Sequence, residues 1–182
     1  MRLFIAINFD DKTRTKFISF RDKAQAYSKC GKFTLAENLH LTLVFLGKCN
    51  EKQKMAAEQV MNSVRFEQFR ITIQGGGYLG KGTRNLVFCS LKNDSGYSEL
   101  LRLQSDLYQN LSVKRFELDK RKFWPHITLG REVIWKDSGD SSKFIDIEFP
   151  VFQADVMSIA LMQSEHVNGK LTYTVLHERI KT

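Results

Sequence analysis

Hydrophobic and polar positions change their spacing several times along the chain, and each change marks an element. Residues 2–9 are an apolar, β-rich run (Leu3, Phe4, Ile5, Ile7, Phe9), so a strand comes first. Asp10 then offers an N-cap, and Phe17, Phe20, Ala24 and Tyr27 recur at helical spacing, with Gly31 after Cys30 as the stop. Strands are expected over 33–36 and 39–46. Asn50 and Gln53 have capping-box spacing and open a second helix with Ala56, Val60 and Val64 on one face. Two strands at 69–73 and 86–91 flank a Gly-rich stretch at 75–83. After Asp94 and Ser95, Leu100, Leu103, Leu107 and Leu111 form one helical stripe, and further strands are expected near 126–133, 151–162 and 171–180. Residues 136–142 read as a polar loop. Helices alternating irregularly with paired strands argue for an α+β fold over a regular parallel array.

Two of these strands share a motif. Leu39-His40-Leu41-Thr42-Leu43 and Pro125-His126-Ile127-Thr128-Leu129 both place His-apolar-Thr-Leu in a strand. With four His and ten Thr in 182 residues, about 0.2 His-x-Thr tripeptides are expected by chance. Residues two apart on a strand share a face, so His40 with Thr42, and His126 with Thr128, point away from a core that takes Leu41, Leu43, Ile127 and Leu129. Side by side around a pseudo-twofold axis, the two strands would present two imidazoles and two hydroxyls across one cleft. That set suits attack at phosphorus. One imidazole serves as base and the other as acid, while Thr42 and Thr128 hold the non-bridging oxygens. No metal or other cofactor is required. His166 and His177 lack this context and read as surface or edge-strand residues.

Composition narrows the setting. The 42% apolar fraction excludes a disordered chain, and 182 residues fit one compact domain or two small lobes sharing a core. No apolar run approaches the ~18 residues of a membrane span, and the first strand leaves no room for a signal peptide, so a cytoplasmic protein is expected. Cys30, Cys49 and Cys89 lack zinc-ligand spacing and read as reduced thiols. The net charge of +8 permits a polyanionic partner without naming one. Gly75 and Gly80-Lys81-Gly82 nearly match a phosphate-binding loop, but Gly82 stands where Ser or Thr must bind magnesium and a strand follows, so ATP binding there is excluded. Residues 75–82 read instead as a flexible turn.

With those residues in view, the sequence resembles the 2H phosphoesterase superfamily, named for its two His-x-Thr motifs. Within it, the chain is similar to the RNA 2′,3′-cyclic phosphodiesterases once called 2′-5′ RNA ligases. The likeness runs nearly end to end, through Arg2-Leu3-Phe4-Ile5-Ala6, the two motifs with their flanks, Leu161-Met162-Gln163-Ser164, Gly169 and Tyr173-Thr174-Val175-Leu176. It implies a bilobal α+β domain over the whole chain: two antiparallel sheets related by a pseudo-twofold axis, helices on the outer faces and a central active-site groove. It also implies metal-independent opening of a terminal 2′,3′-cyclic phosphate to a 2′-phosphate, with reversible 2′-5′ ligation in some members. The expected partners are RNA ends or nucleotides carrying a cyclic phosphate, met by a monomer without an obligate protein partner.

By the family pattern His126 is the general base and His40 the general acid, although the motifs are near copies and spacing alone does not separate the roles. Arg131 matches a family arginine and is a candidate phosphate contact. It follows His126 by five residues, on the wrong face for strict alternation, so this role needs a bulge or strand end near Gly130. Arg121 and Phe123 are candidate rim or packing residues, and Tyr78 and Trp124 are candidates for stacking a base. Pro125 favours an extended Trp124 and so helps deliver His126 into its strand. Two other readings stay open: a sister phosphodiesterase acting on a small cyclic nucleotide, an ADP-ribose cyclic phosphate or a 2′-5′ oligoadenylate, and a non-catalytic module that binds RNA ends or nucleotides.

Overall fold

The three expected helix starts are all made by side-chain caps. The Asp10 carboxylate accepts the Thr13 N–H at 2.7 Å and opens α1 (Asp11–Ala26). Asn50 and Gln53 exchange side-chain-to-backbone bonds of 2.9 and 3.0 Å at the start of α2 (Glu51–Ser63). Asp94 accepts from Tyr97 at 3.2 Å and opens α3 (Ser95–Val113), whose Leu100, Leu103, Leu107 and Leu111 are fully buried. Such local contacts satisfy N–H groups that the first helical turn leaves without partners.

The computed structural model describes residues 1–81, 83–137, 140–146 and 149–180. Its strands are β1 (Arg2–Asn8), β2 (Ser28–Phe33), β3 (His40–Lys48), β4 (Phe69–Lys81), β5 (Arg84–Leu91), β6 (His126–Trp135), β7 (Phe152–Val156), β8 (Ser158–Val167) and β9 (Lys170–Ile180). They form one antiparallel sheet in the order β7-β4-β5-β6-β3-β1-β8-β9, with β2 also paired to β6. The expectation of two separate sheets is therefore corrected to a single nine-stranded sheet. Its halves, β3-β1-β8-β9 and β6-β5-β4-β7 with β2, are joined where Leu41 pairs with Ile127. Strands β7 and β8 lie far apart in this order yet are linked by Met157 alone, so the sheet must curl until those regions meet.

Five segments differ from the sequence reading, most of them because of partners remote in sequence. The first helix stops at Ala26, where the Ser28 hydroxyl donates to the Ala24 carbonyl at 2.6 Å; residues 28–33 then pair with β6 instead of extending the helix. The segment expected as a strand at 33–36 leads into a 3-10 turn, Ala36–Asn38. The run expected as one strand at 151–162 splits at Met157, because β7 pairs with β4 while β8 pairs with β1. The Gly-rich stretch is no loop: β4 continues to Lys81 and pairs with β5 from Gly75↔Ser90 to Lys81↔Arg84, with Gly82 outside the described residues. In the segment read as a polar loop, α4 (Asp140–Asp146) forms around the fully buried Phe144, while Ser138 and Gly139 lie outside the described residues.

Alternation along β1 divides the sheet's two faces. Leu3, Ile5 and Ile7 join the main core with residues of α1, α2, α3 and Phe144, whereas Phe4 and Ala6 turn to the other face and pack with Ala160, Met162 and Tyr173. The three cysteines are unpaired, and no helix among the described residues is long and apolar enough to cross a membrane. His166 lies exposed in β8, and His177, on β9 at the sheet edge, bonds Asn62 at 3.0 Å.

Near the start of α3 the helix touches the sheet so closely that a Cβ on Gly96 would sit 1.7 Å from the Arg70 carbonyl oxygen. Gly96→Ala should destabilise the fold by about 1–3 kcal/mol, since backbone must move. Urea unfolding checks this; an unchanged midpoint would contradict the contact.

Candidate active site

His40 opens β3 and His126 opens β6, and each ring is held in the same way. The Nδ1 of His40 lies 2.7 Å from the carbonyl oxygen of Asn38, and that of His126 lies 2.9 Å from the carbonyl oxygen of Trp124. A carbonyl only accepts, so each Nδ1 carries the proton and each neutral ring keeps its lone pair on Nε2. In His40, Nε2 lies 2.9 Å from Thr42 Oγ1, whose hydroxyl donates to it. The antiparallel register through Leu41↔Ile127 sets His40 opposite Thr128 and Thr42 opposite His126. Leu41 and Ile127 are fully buried on the helix side, which directs the two His-Thr pairs to the other face.

Arg131 reaches the same groove through a bulge. Phe88 pairs with Thr128 and its neighbour Val87 with Gly130, so β6 carries an extra residue that resets the alternation. The bulge falls at Gly130, where the sequence reading required one. The positive charge of Arg131 acts on His40, His126 and Tyr173, and among the described residues Arg131 has no acidic partner. Burial pushes the His40 pKa down to about 4; the Asn38 bond opposes the shift, while Arg131 and His126 add to it. The His126 pKa is lowered by burial and, less strongly, by Arg131, against the pull of the Trp124 carbonyl. His40 is accordingly neutral at neutral pH in the free protein.

The same arrangement of strands and motifs recurs in known proteins. The sequence pattern of the 2′-5′ RNA ligase superfamily matches residues 13–168. This chain belongs to that superfamily. It is 32% identical over 183 residues to an RNA 2′,3′-cyclic phosphodiesterase of Thermotoga maritima, covering 98% of this chain and 94% of the relative. It is 34% identical over 132 residues to the protein of the same name from Archaeoglobus fulgidus, 72% of each. The crystal structure of Escherichia coli LigT complexed with 3′-AMP superposes with a TM-score of 0.81 at 25% identity, over 100% of this chain and 98% of that one.

Around His40 and His126, aromatic side chains form two walls. Phe4 lies 5.0 Å from the His40 ring and Tyr173 meets it edge-on at 5.2 Å. On the other side the Trp124 ring stacks on His126 at 4.4 Å and 24°, with Phe88 edge-on to Trp124 at 4.7 Å. Phe88 fits there because it faces Gly77, where a Cβ would lie 2.6 Å from its ring. Trp124 therefore stands at the rim, 42% exposed and already stacked on a histidine. Tyr78 is not in the groove. It pairs with the core residue Val87 and packs on Trp135 at 5.7 Å, so the expectation of Tyr78 as a stacking residue is corrected to packing on the helix side. Arg121 is exposed and bound by the Asp119 carboxylate, beside a cleft of about 380 Å³ that it shares with Gln104, Tyr108 and Phe123. Sequence reasoning missed Asn38 and the Trp124 carbonyl as imidazole holders, and Phe4, Phe45 and Tyr173 as groove residues. The period-two pattern of β1, read strictly from Leu3, points to Phe4.

The depressed His40 pKa makes stability depend on pH. In the unfolded chain the ring titrates near 6.5 and in the folded protein near 4, so the unfolded state binds more protons between these values. Stability is fully present above about 6.5 and is lost as pH falls towards 4. His40→Gln should flatten this slope by at most about 1.4 kcal/mol per pH unit. Unfolding midpoints across that window test it; an unchanged slope would count against a neutral, buried imidazole.

Proposed function

We propose that the protein is an RNA 2′,3′-cyclic 3′-phosphodiesterase that opens a terminal 2′,3′-cyclic phosphate to a 2′-phosphate without a metal ion. The observation that carries the proposal is the pair of imidazoles held by matching carbonyl bonds on either side of the Leu41–Ile127 pair, beside an Arg131 that meets no acid among the described residues. Relatives that bear this activity in their names support it.

In this reading a water molecule is deprotonated by His126 Nε2 and its oxygen bonds to phosphorus. The bond from phosphorus to O3′ breaks, and O3′ takes a proton from His40 Nε2. The products are a 2′-phosphomonoester and a 3′-hydroxyl; 2′-5′ joining is the same displacement with an RNA 5′-hydroxyl in place of water, its proton going to His126 while O3′ again leaves with a proton from His40. Thr42, Thr128 and Arg131 hold the non-bridging oxygens as charge builds there. Hydrogen bonding supports this division of roles. A protonated imidazole needs two acceptors, and His40 has both in place, the Asn38 carbonyl and the Thr42 hydroxyl. His126 has the Trp124 carbonyl alone among the described residues, which leaves its Nε2 lone pair for water. A phosphodiester anion between the rings favours the protonated form of His40 and offsets the burial that keeps it neutral in the free protein.

A short RNA ending in 2′,3′-cyclic phosphate, incubated in EDTA, should yield the 2′-phosphate with a bell-shaped pH profile. Absence of turnover, or turnover that disappears on chelation, would refute the proposal. His40→Ala and His126→Ala should each lower kcat by about 10² to 10⁴. A substrate with a p-nitrophenolate leaving group needs no proton on departure, so it should restore much of the rate to His40→Ala and little to His126→Ala. The opposite pattern would reverse the two roles.

A further inference from the structure

The wall that carries His40 continues beyond the catalytic groups. On β1 the residues Ala6, Phe4 and Arg2 share the groove face at two-residue steps, paired respectively with Thr42, Phe45 and Lys48 of β3. Two irregularities make this possible. One extra residue in β3 between Thr42 and Phe45, and another between Phe45 and Lys48, return Phe45 and Lys48 to the groove face each time. Each step along β1 advances about 7 Å, comparable with the width of a nucleoside. From the centre outward, the wall presents imidazole and hydroxyl, then an aromatic ring, then two cations.

Phe45 is the unusual member. Its ring is 57% exposed on the groove face, and it rests 6.1 Å from Phe4, which in turn touches His40. Among the described residues, neither Arg2 nor Lys48 has an acidic partner. The charge of Arg2 acts on the Tyr173 hydroxyl from one side of the groove, as that of Arg131 does from the other. Phe45 and Arg131 also occupy equivalent places: each is the fifth residue after its motif histidine, and each is returned to the groove by a bulge after the shared Thr-Leu. One half of the molecule thus offers a ring where the other offers a charge. The opposite wall has no free platform of this kind, since Trp124 is already stacked on His126.

We propose that this wall is a nucleotide subsite: the base of the 3′-terminal nucleoside stacks on Phe45, and the phosphate on its 5′ side is held by Arg2 and Lys48. The proposal rests on the cyclic-phosphodiesterase reading, which places the cyclic phosphate between the imidazoles. The attached base then falls one step along the wall and the next phosphate one step further. Stacking on a phenyl ring accepts any base. The two cations favour a polynucleotide over a free cyclic nucleotide, so the substrate class is an RNA 3′ end of tolerant sequence.

Affinity for a labelled RNA pentamer ending in a 3′-phosphate, measured by fluorescence anisotropy, reads the wall without turnover. Phe45→Ala and the double variant Arg2→Gln/Lys48→Gln should each weaken binding about tenfold. Phe45→Trp should bind as tightly as the parent. The double variant should also lower the slope of log affinity against log salt by about 0.7 to 1. Its preference for a cyclic-phosphate pentamer over adenosine 2′,3′-cyclic phosphate, taken as the ratio of kcat/KM values, should fall about tenfold. Unchanged affinity in either folded variant would overturn the subsite. A parent protein that turns over neither substrate in EDTA would overturn the phosphodiesterase reading instead, and the anisotropy arm would still decide the wall.

Discussion

The pairing of Leu41 with Ile127 is the contact on which the site depends. It joins the halves of the sheet, and it lies between the histidine and the threonine of each motif. Both side chains are fully buried on the helix side, each contributing about 1.5–3 kcal/mol of apolar burial. A one-residue slip of either strand would expose that side chain and turn the histidine and threonine into the core, so burial of the middle residue enforces the direction of the polar pair. The catalytic geometry is set by hydrophobic packing behind it and needs few polar contacts of its own.

Bulges then give the two halves different chemistry from nearly the same motif. After His-x-Thr-Leu each strand takes in an extra residue, and the side chain five places past the histidine swings back to the groove. In β3 that side chain is Phe45; in β6 it is Arg131. The motif copies explain the matching settings of the two imidazoles, and the residues after the bulges break that symmetry, giving the groove the direction that the proposed nucleotide subsite uses.

Much of this is visible in the sequence, and the missed parts have a common cause. Caps at Asp10, Asn50 and Asp94 are local signals, decided within three residues, and all three hold. The His-Thr faces follow from strand alternation, and the bulge at Gly130 was required once Arg131 was placed in the groove. The failures concern partners remote in sequence. The helical pattern runs to Tyr27 with its stop expected at Gly31, but residues 28–33 pair with β6, about a hundred residues away. The apolar run through Met157 looks continuous because nothing local records that its two ends pair with strands on opposite halves of the sheet. Tyr78 lies in the stretch read as a flexible turn, but the glycines around it are strand residues, and their pairing fixes its ring towards the helices.

The same contrast between local and remote partners explains where the net charge of +8 acts. On the helices, basic side chains meet acids one turn away: Arg14 with Asp11, Lys54 with Glu51 and Glu58, and Arg102 with Glu99 and Asp106. These exposed pairs neutralise one another and contribute little to stability. In the groove, Arg2, Lys48 and Arg131 come from three different strands and meet no acid among the described residues. Burial has meanwhile kept His40 uncharged. The site thus holds fixed positive charge beside an imidazole that is neutral in the free protein, and under the proposed mechanism a bound phosphate would supply the charge that lets His40 take up the proton it donates.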